Sequence, residues 1–366
     1  MKRPWAGIAA AICSLAAASG AGAVATPPFQ AVMSGLDNPR GLAWGPEGAL
    51  YVAEAGHGGT QPCFATPRGP AFAGFTGAVS RLWNGVQERV ATGFPSYTEN
   101  APSGIAATGP HDIALLGRGD ARVSIGLGNN PALRSTCGEL GPMFGWLAQV
   151  PASGNWRLDV DVSAYETAAN PTGLPFDSNP YGLLAEPGAT IATDAGGNDL
   201  LRIAANGSIS TLAVFPSRST IPPHVPFTDS VPTSVAVGPD GAYYVGELTG
   251  GPFFINAANV YRVVPGEAPT VFRSGFSFII DITFGSDGSL YVLQFASLPG
   301  NTGPGELWRV APGGARTLVA TGLFAPGSVT IGADGAFYVS NCSIFSTTGT
   351  GPPPCNNGGQ VVRIPG

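Results

Sequence analysis

Lysine is nearly missing from this 366-residue sequence: Lys2 is the only one. A phosphate-loop lysine and Schiff-base chemistry are therefore excluded from everything beyond the N-terminus. Histidine is scarce too, with only His57, His111 and His224, and no C-x-x-C spacing occurs, so a zinc site has little to be built from. Charged residues make up 11% of the chain and the formal charge is −6, or −8 without Lys2 and Arg3. Affinity for polyanions rests on clustered cations, so no nucleic-acid partner is expected. Long apolar runs are also absent after the N-terminus, and no membrane span is expected.

What is abundant is glycine, 54 residues, and proline, 35 residues. Both penalise helix interiors, which excludes long helices. Yet 44% of residues are hydrophobic, enough for a sizeable core. Many short strands joined by Gly/Pro turns satisfy both facts.

The N-terminus reads as a targeting segment. Lys2 and Arg3 precede a short apolar run from Ala6 to Ala18, and Ala21-Gly22-Ala23 and Ala23-Val24-Ala25 both offer small-x-small cleavage patterns. Residues 1–25 are expected to be a signal peptide, giving a secreted or periplasmic product. Ile12 before Cys13 does not suit a lipoprotein site, so no lipid anchor is expected. Four cysteines then remain, Cys63, Cys137, Cys342 and Cys355, which in an oxidising compartment form two disulfides in one of three pairings. Cys342–Cys355 is favoured because it staples one Gly/Pro-rich loop, leaving Cys63–Cys137.

The strongest signal is an internal repeat. PRGLAWGPEGALYVAE from Pro39, PTSVAVGPDGAYYVGE from Pro232, IDITFGSDGSLYVLQ from Ile280 and PGSVTIGADGAFYVSN from Pro326 share one template. An alternating strand leads to a G-x-[DE]-G turn and then to a second strand containing Tyr-Val; glycine there accepts the positive φ of a tight turn. Weaker copies start at Pro110 and Pro180. A second strand pair follows most copies, in GAVSRLWNGVQERVATGF, NDLLRIAANGSISTLAVF, NVYRVVPGEAPTVFRSGF and GELWRVAPGGARTLVATGLF, and MFGWLAQV is a degenerate version. Four strands recurring every 47 to 71 residues are the unit of a propeller.

The ends fit a ring. The last unit supplies a third strand, GQVVRIPG, and stops, while FQAVMSGLDNPRG from Phe29 matches the fourth-strand segment LVATGLFAPGS. The expected fold is an all-β, six-bladed β-propeller over residues 26–366, a single domain whose last blade is closed by the N-terminal strand. A monomer is expected.

SGLDNPRGLAWGPEGALYVAEAG, TGAVSRL, ATGFPS and GPHDI resemble the ScyD/ScyE family, propellers named from scytonemin biosynthesis and related to NHL-repeat proteins. The resemblance runs through nearly all of the chain after residue 25. It implies an exported propeller, and carries over no catalytic residues. The acidic-Gly-Pro-aromatic opening of lactonase-type propellers, which carries a metal ligand, is not found.

Aligning the copies on their turn glycine gives two polar columns. Six residues after that glycine stand Glu54, Asp194, Glu247, Gln294 and Asn341. At the start of the first strand stand Gly41, Asp112, Gly182, Ser234, Asp281 and Ser328, beside Arg40, His111 and Tyr181. One reading makes Glu54, Asp194, Glu247 and Asp281 oxygen ligands of a calcium ion, which polarises a lactone or ester carbonyl while His111 acts as base and Asp112 orients it. The plainer reading is that these residues hydrogen-bond neighbouring blades and fill a solvated channel. His111 and Asp112 are also sequence neighbours on a strand, which point to opposite faces. The repeated Arg81, Arg202, Arg262, Arg309 and Arg363 are expected to pair within the blades. Insertions around Cys63 to Phe75, Pro95 to Gly109, Asn129 to Gly141 and Pro216 to Asp229 are expected to be rim loops, where recognition is usually placed.

Three functions follow. The first is a binding or scaffold propeller recognising a small molecule, glycan or protein. The second is a calcium-assisted hydrolase of lactones or esters. A quinone-dependent sugar dehydrogenase is a third, which the lack of lysine and histidine disfavours.

Overall fold

The computed structural model of the protein describes residues 29–66, 69–100, 104–116, 120–217, 228–349 and 351–366. The expected signal peptide and His224 lie outside the described residues. Six antiparallel sheets form a ring, a β-propeller. Blade 1 is built on Pro39–Trp44, Leu50–Glu54, Gly69–Trp83 and Val86–Glu99; blade 2 on Pro110–Leu116, Asp120–Ile125, Trp146–Pro151 and Arg157–Asp161. Blades 3, 4 and 5 open with Pro180–Glu186, Pro232–Val237 and Ile279–Phe284, each followed by three strands in sequence order.

Blade 6 takes Ser328–Ile331, Phe337–Asn341 and Gly359–Ile364 from the C-terminus and its fourth strand, Gln30–Leu36, from the start of the described chain. Gln30 faces Arg363, Ala31 faces Val362 and Met33 faces Val361. Met33, Leu36 and Val361 are buried together with Leu42 and Leu50 of the neighbouring blade, so the closing strand also joins blade 6 to blade 1. The closing strand covers the third strand of blade 6, so that only the short, protected edges of a propeller remain.

The template explains the strands. In the first hairpin of blade 1, Gly45 N–H donates to Ala49 O and Gly48 N–H to Gly45 O, and Gly48 has φ of +81°. Gly241, Gly288 and Gly335 repeat that left-handed geometry at the same turn position, which a side chain strongly disfavours. The turn aspartates have a further role: Asp240, Asp287 and Asp334 each pair at 2.7 Å with Arg262, Arg309 and Arg363 from the third strand of their own blade. Arg81 pairs with Glu88 across a hairpin instead. Second strands such as Ala189–Asp194 and Tyr243–Glu247 are buried on both faces, whereas a fourth strand, Thr270–Phe276, is largely exposed at the ring's outside. The core is therefore the set of sheet-to-sheet contacts, as where Val260, Ile282 and Val292 join blades 4 and 5.

Two departures from the repeat stand out. The segment expected to be a rim loop from Cys63 to Phe75 is strand instead: Gln61–Thr66 pairs with the extended start of Gly69–Trp83, making blade 1 five-stranded. An eight-residue helix, Val162–Ala169, capped by Asp161, links blades 2 and 3. Both disulfides form, Cys63–Cys137 and Cys342–Cys355. Among the described residues no helix is long and apolar enough to cross a membrane.

Candidate channel site

The six first strands line the ring's axis, and the column of small and acidic residues faces across it. Asp112 Oδ1 accepts from Ile113 N–H at 2.8 Å and Oδ2 from Leu183 N–H of blade 3 at 2.6 Å. Asp281 makes the same pattern: Oδ1 accepts from Ile282 N–H, and Oδ2 from Val329 N–H at 2.8 Å and the Ser328 hydroxyl at 2.6 Å, both in blade 6. Gly41 has no side chain because a Cβ there would lie 1.8 Å from Asp112 Oδ1. Ser124 adds a bond to Tyr181 O at the seam of blades 2 and 3, and other seams are tied by Thr233 to Ile279 O and Ser340 to Arg40 O. Burial raises both carboxyls, Asp281 to about 6, and the Asp281 charge pushes Asp112 further up.

One residue closer to the mouth stand Arg40, His111 and Tyr181, all about 5% exposed or less. Arg40 Nη2 donates to Ala107 O at 2.8 Å, while its Nε and Nη1 have no partner. The Tyr181 hydroxyl lies beside that guanidinium without a well-formed hydrogen bond, and it too has none elsewhere. The His111 ring is 4.6 Å from the Tyr181 ring, with Nδ1 3.2 Å from Pro180 O. That carbonyl can only accept, so Nδ1 carries a proton. Burial, reinforced by the Arg40 charge, lowers the His111 pKa to about 3, and burial raises Tyr181 to about 12.

The residues singled out for catalysis do not join. Asp112 spends its carboxylate on Ile113 and Leu183, and His111 turns to a backbone carbonyl, as opposite faces of one strand require. A base with a pKa near 3 is also poorly matched to proton abstraction at neutral pH.

The four proposed calcium ligands sit in four different blades, each already engaged. Glu54 accepts from Asp37 N–H and the Ser80 hydroxyl and pairs with Arg89. Glu247 accepts from the Ser230 hydroxyl and Asn259 N–H. Asp194 accepts from Asn179 N–H, and Gln294 and Asn341 do the same for Ser277 and Phe324 N–H. The column is thus a clamp: each side chain holds the segment leading into its own blade, four of them by a backbone N–H and Glu247 by the Ser230 hydroxyl. Among the described residues, no three histidine, cysteine, aspartate or glutamate side chains are drawn together as a metal centre would have them.

No described protein family matches the sequence, and no match is found among curated proteins. Solved structures do match. A putative gluconolactonase aligns over 92% of this chain and 92% of its own at 10% identity, with a TM-score of 0.52. The PQQ-bound aldose sugar dehydrogenase of Streptomyces coelicolor aligns over 93% and 99% at 13% identity, also at 0.52. A luciferin-regenerating enzyme aligns over 93% and 95% at 12% identity, again at 0.52. The likeness is one of fold. It joins the chain to six-bladed propellers whose chemistries differ from one another.

Sequence reasoning placed Arg40, His111 and Tyr181 at the mouth but did not single out Arg40 and Tyr181 as donors. It missed Arg89, whose guanidinium reaches both Glu54 and Asp37.

Proposed function

We propose that this protein is an exported binding propeller of the ScyD/ScyE type, which takes a small molecule bearing a carboxylate or carbonyl group at its channel mouth. The observation that carries this reading is Arg40: a buried guanidinium whose Nε and Nη1 make no well-formed hydrogen bond, next to a buried phenol that makes none either. Buried donors left without acceptors cost about 1–3 kcal/mol each, which a bound oxygen acceptor would recover. Arginine's fixed fork suits such a planar group. Export after Ala23 or Ala25 accords with both disulfides.

Calcium-assisted hydrolysis of a lactone or ester is the weaker reading, since its ligands are spread over four blades and its base is strongly acid-shifted. Calorimetric titration with gluconate and glucono-lactone, for the native protein and Arg40→Met, tests the choice. Binding lost in Arg40→Met supports the binding reading. Affinity unchanged in the variant, or lactone turnover abolished by chelator, would reject it.

A further inference from the structure

At the end of the ring away from the channel mouth, the seams between blades are not filled alike. There the last residue of each first strand meets the second strand of the preceding blade. Trp44 packs edge-on against Tyr338 of blade 6 with ring centroids 4.9 Å apart, and Phe284 against Tyr244 of blade 4 at the same 4.9 Å. Tyr291 and Phe337 fill the seam between blades 5 and 6 at 4.7 Å. Blades 2 and 3, the weaker copies of the repeat, have smaller residues at this position. Leu115 faces Ala121 where Trp44 faces Leu50 in blade 1, and Ala185 faces Thr190 in blade 3.

Those two seams are open. Between blades 1 and 2 lies a cavity of about 690 Å³, walled by Tyr51, Arg81, Trp83 and Glu88 on one side and by Leu115 and Val150 on the other. Between blades 2 and 3 lies one of about 440 Å³, lined by Arg122, Ala185 and Glu186. Leu115 lines both, so the two adjoin across the first strand of blade 2. The larger cavity has fixed walls. Trp156 of blade 2 stacks on Phe94 of blade 1 at 4.3 Å and donates through Nε1 to Thr92 O at 2.9 Å. Gly154 comes so close that a Cβ there would lie 2.1 Å from Val90 O. The outer hairpin of blade 2 is thus clasped to blade 1, and the cleft is preformed, as ligand sites usually are.

The lining chemistry narrows the occupant. Trp83 is 42% exposed at the rim of the larger cavity, with the Arg81 guanidinium 5.3 Å from its ring centroid. Among the described residues, every arginine of the two cavities is matched by an acid: Arg81 by Glu88, Arg89 by Glu54 and Asp37, and Arg122 by Asp159. The two further acids each accept from a phenol, Glu47 from Tyr51 at 2.6 Å and Glu186 from Tyr243 at 2.7 Å. No cation is left over to hold an anion, and no acid is without a donor. What the cleft offers is acceptors and donors side by side, next to an aromatic face. A sugar ring matches that, because neighbouring hydroxyls both donate and accept while its C–H face lies flat on an aromatic ring.

We propose that this cleft binds a neutral oligosaccharide, with one ring on Trp83, its hydroxyls on the Arg81–Glu88 pair, and the chain continuing past Leu115 toward Glu186. The cleft lies at the other end of the strands from Arg40 and is independent of the channel reading.

Calorimetric titration of the purified full-length protein with the neutral trisaccharides maltotriose, cellotriose and triacetylchitotriose tests this, with tryptophan fluorescence as a second readout. At least one sugar should bind in a one-to-one ratio and change the fluorescence. Trp83→Ala, at an exposed position, should weaken that sugar about ten-fold, the equivalent of one lost stacking contact. Leu115→Trp places in the open seam the residue type that closes the seam between blades 6 and 1, and should abolish binding while the circular dichroism stays native. Val271→Ala, exposed on the fourth strand of blade 4, should leave affinity unchanged. Affinity should also be insensitive to salt, since no net charge is neutralised. The proposal is overturned if none of the sugars binds at millimolar concentration, if Trp83→Ala binds with native affinity, or if the acidic trigalacturonate binds more tightly than the neutral sugars.

Discussion

Asp112 and Asp281 occupy the same strand position in blades 2 and 5, on opposite sides of the six-bladed ring, and each carboxylate reaches sideways to the first strand of the following blade. The channel acids thus work as seam fasteners. Asp281→Ala leaves Val329 N–H and the Ser328 hydroxyl without their acceptor in a buried place, at a cost of about 2 kcal/mol or more. Urea unfolding should show that loss, with Asp281→Asn retaining part of the stability. A change below about 0.5 kcal/mol would mean that water replaces the carboxylate at no penalty.

Ring closure yields a second expectation. Met33 is 2% exposed and faces Val361 in the strand that completes blade 6. Met33→Ala should cost about 2–5 kcal/mol, as for other buried methionines. Gln30→Ala, at an exposed position of the same strand, should fall within about 0.5 kcal/mol of the native chain. Equal effects at both positions in denaturant unfolding would show that the strand is not part of the cooperative unit.

The repeat was readable because each blade carries its own turn glycine and alternating strands, so six copies reinforce one another. The closing strand was readable for the same reason: Phe29 onward matches a fourth strand and nothing else. The polar columns were visible too, but their role was not. A column of Glu54, Asp194, Glu247, Gln294 and Asn341 looks alike whether its side chains converge on an ion or each holds a local backbone amide, and only three-dimensional register separates the two. The added strand Gln61–Thr66 was missed because it belongs to no repeat, and its pairing partner is an extension of Gly69–Trp83 beyond the blade.

His111 makes the protein sensitive to acid in a defined window. Its pKa is about 3 in the folded chain against 6.5 when unfolded, so the unfolded state takes up the proton first as pH falls. The contribution of His111 is fully present above about pH 6.5 and is lost progressively toward pH 3, amounting to about 2–3 kcal/mol between pH 7 and 4.5. Asp281 acts in the opposite sense: raised to about 6, it is protonated first in the folded state, which gains stability as pH falls from 6 toward 3.8. The total curve therefore masks both. His111→Gln, which keeps a donor for Pro180 O, separates them: the stability difference between native and variant should shift toward the variant by about 2 kcal/mol from pH 7 to 4.5. A pH-independent difference would mean that the folded imidazole takes up its second proton over the same range as the unfolded one.

The two disulfides test where cross-linking matters in a closed ring. Cys342–Cys355 spans 13 residues, and Cys63–Cys137 spans 74, joining the added strand of blade 1 to the turn after Pro131–Thr136. Loop-closure entropy assigns about 3 kcal/mol to the shorter loop and about 4.5 kcal/mol to the longer. Packing argues the other way. Cys342 and Cys355 are both fully buried against Phe345, whereas Cys63 is partly exposed, and removing the shorter bridge also loosens the loop whose Phe345 O accepts from Asn38 N–H at the channel mouth. If the denatured chain dominates, Cys63→Ser/Cys137→Ser lowers stability more than Cys342→Ser/Cys355→Ser in guanidinium unfolding. We expect that order, because backbone hydrogen bonds hold the ends of the loops without the bridges: Cys63 lies in a paired strand, and the N–H groups of Cys137, Cys342 and Cys355 donate to Arg134, Phe324 and Pro352 carbonyls. The reverse order would show that the Cys342–Cys355 loop holds the mouth together through its buried contacts.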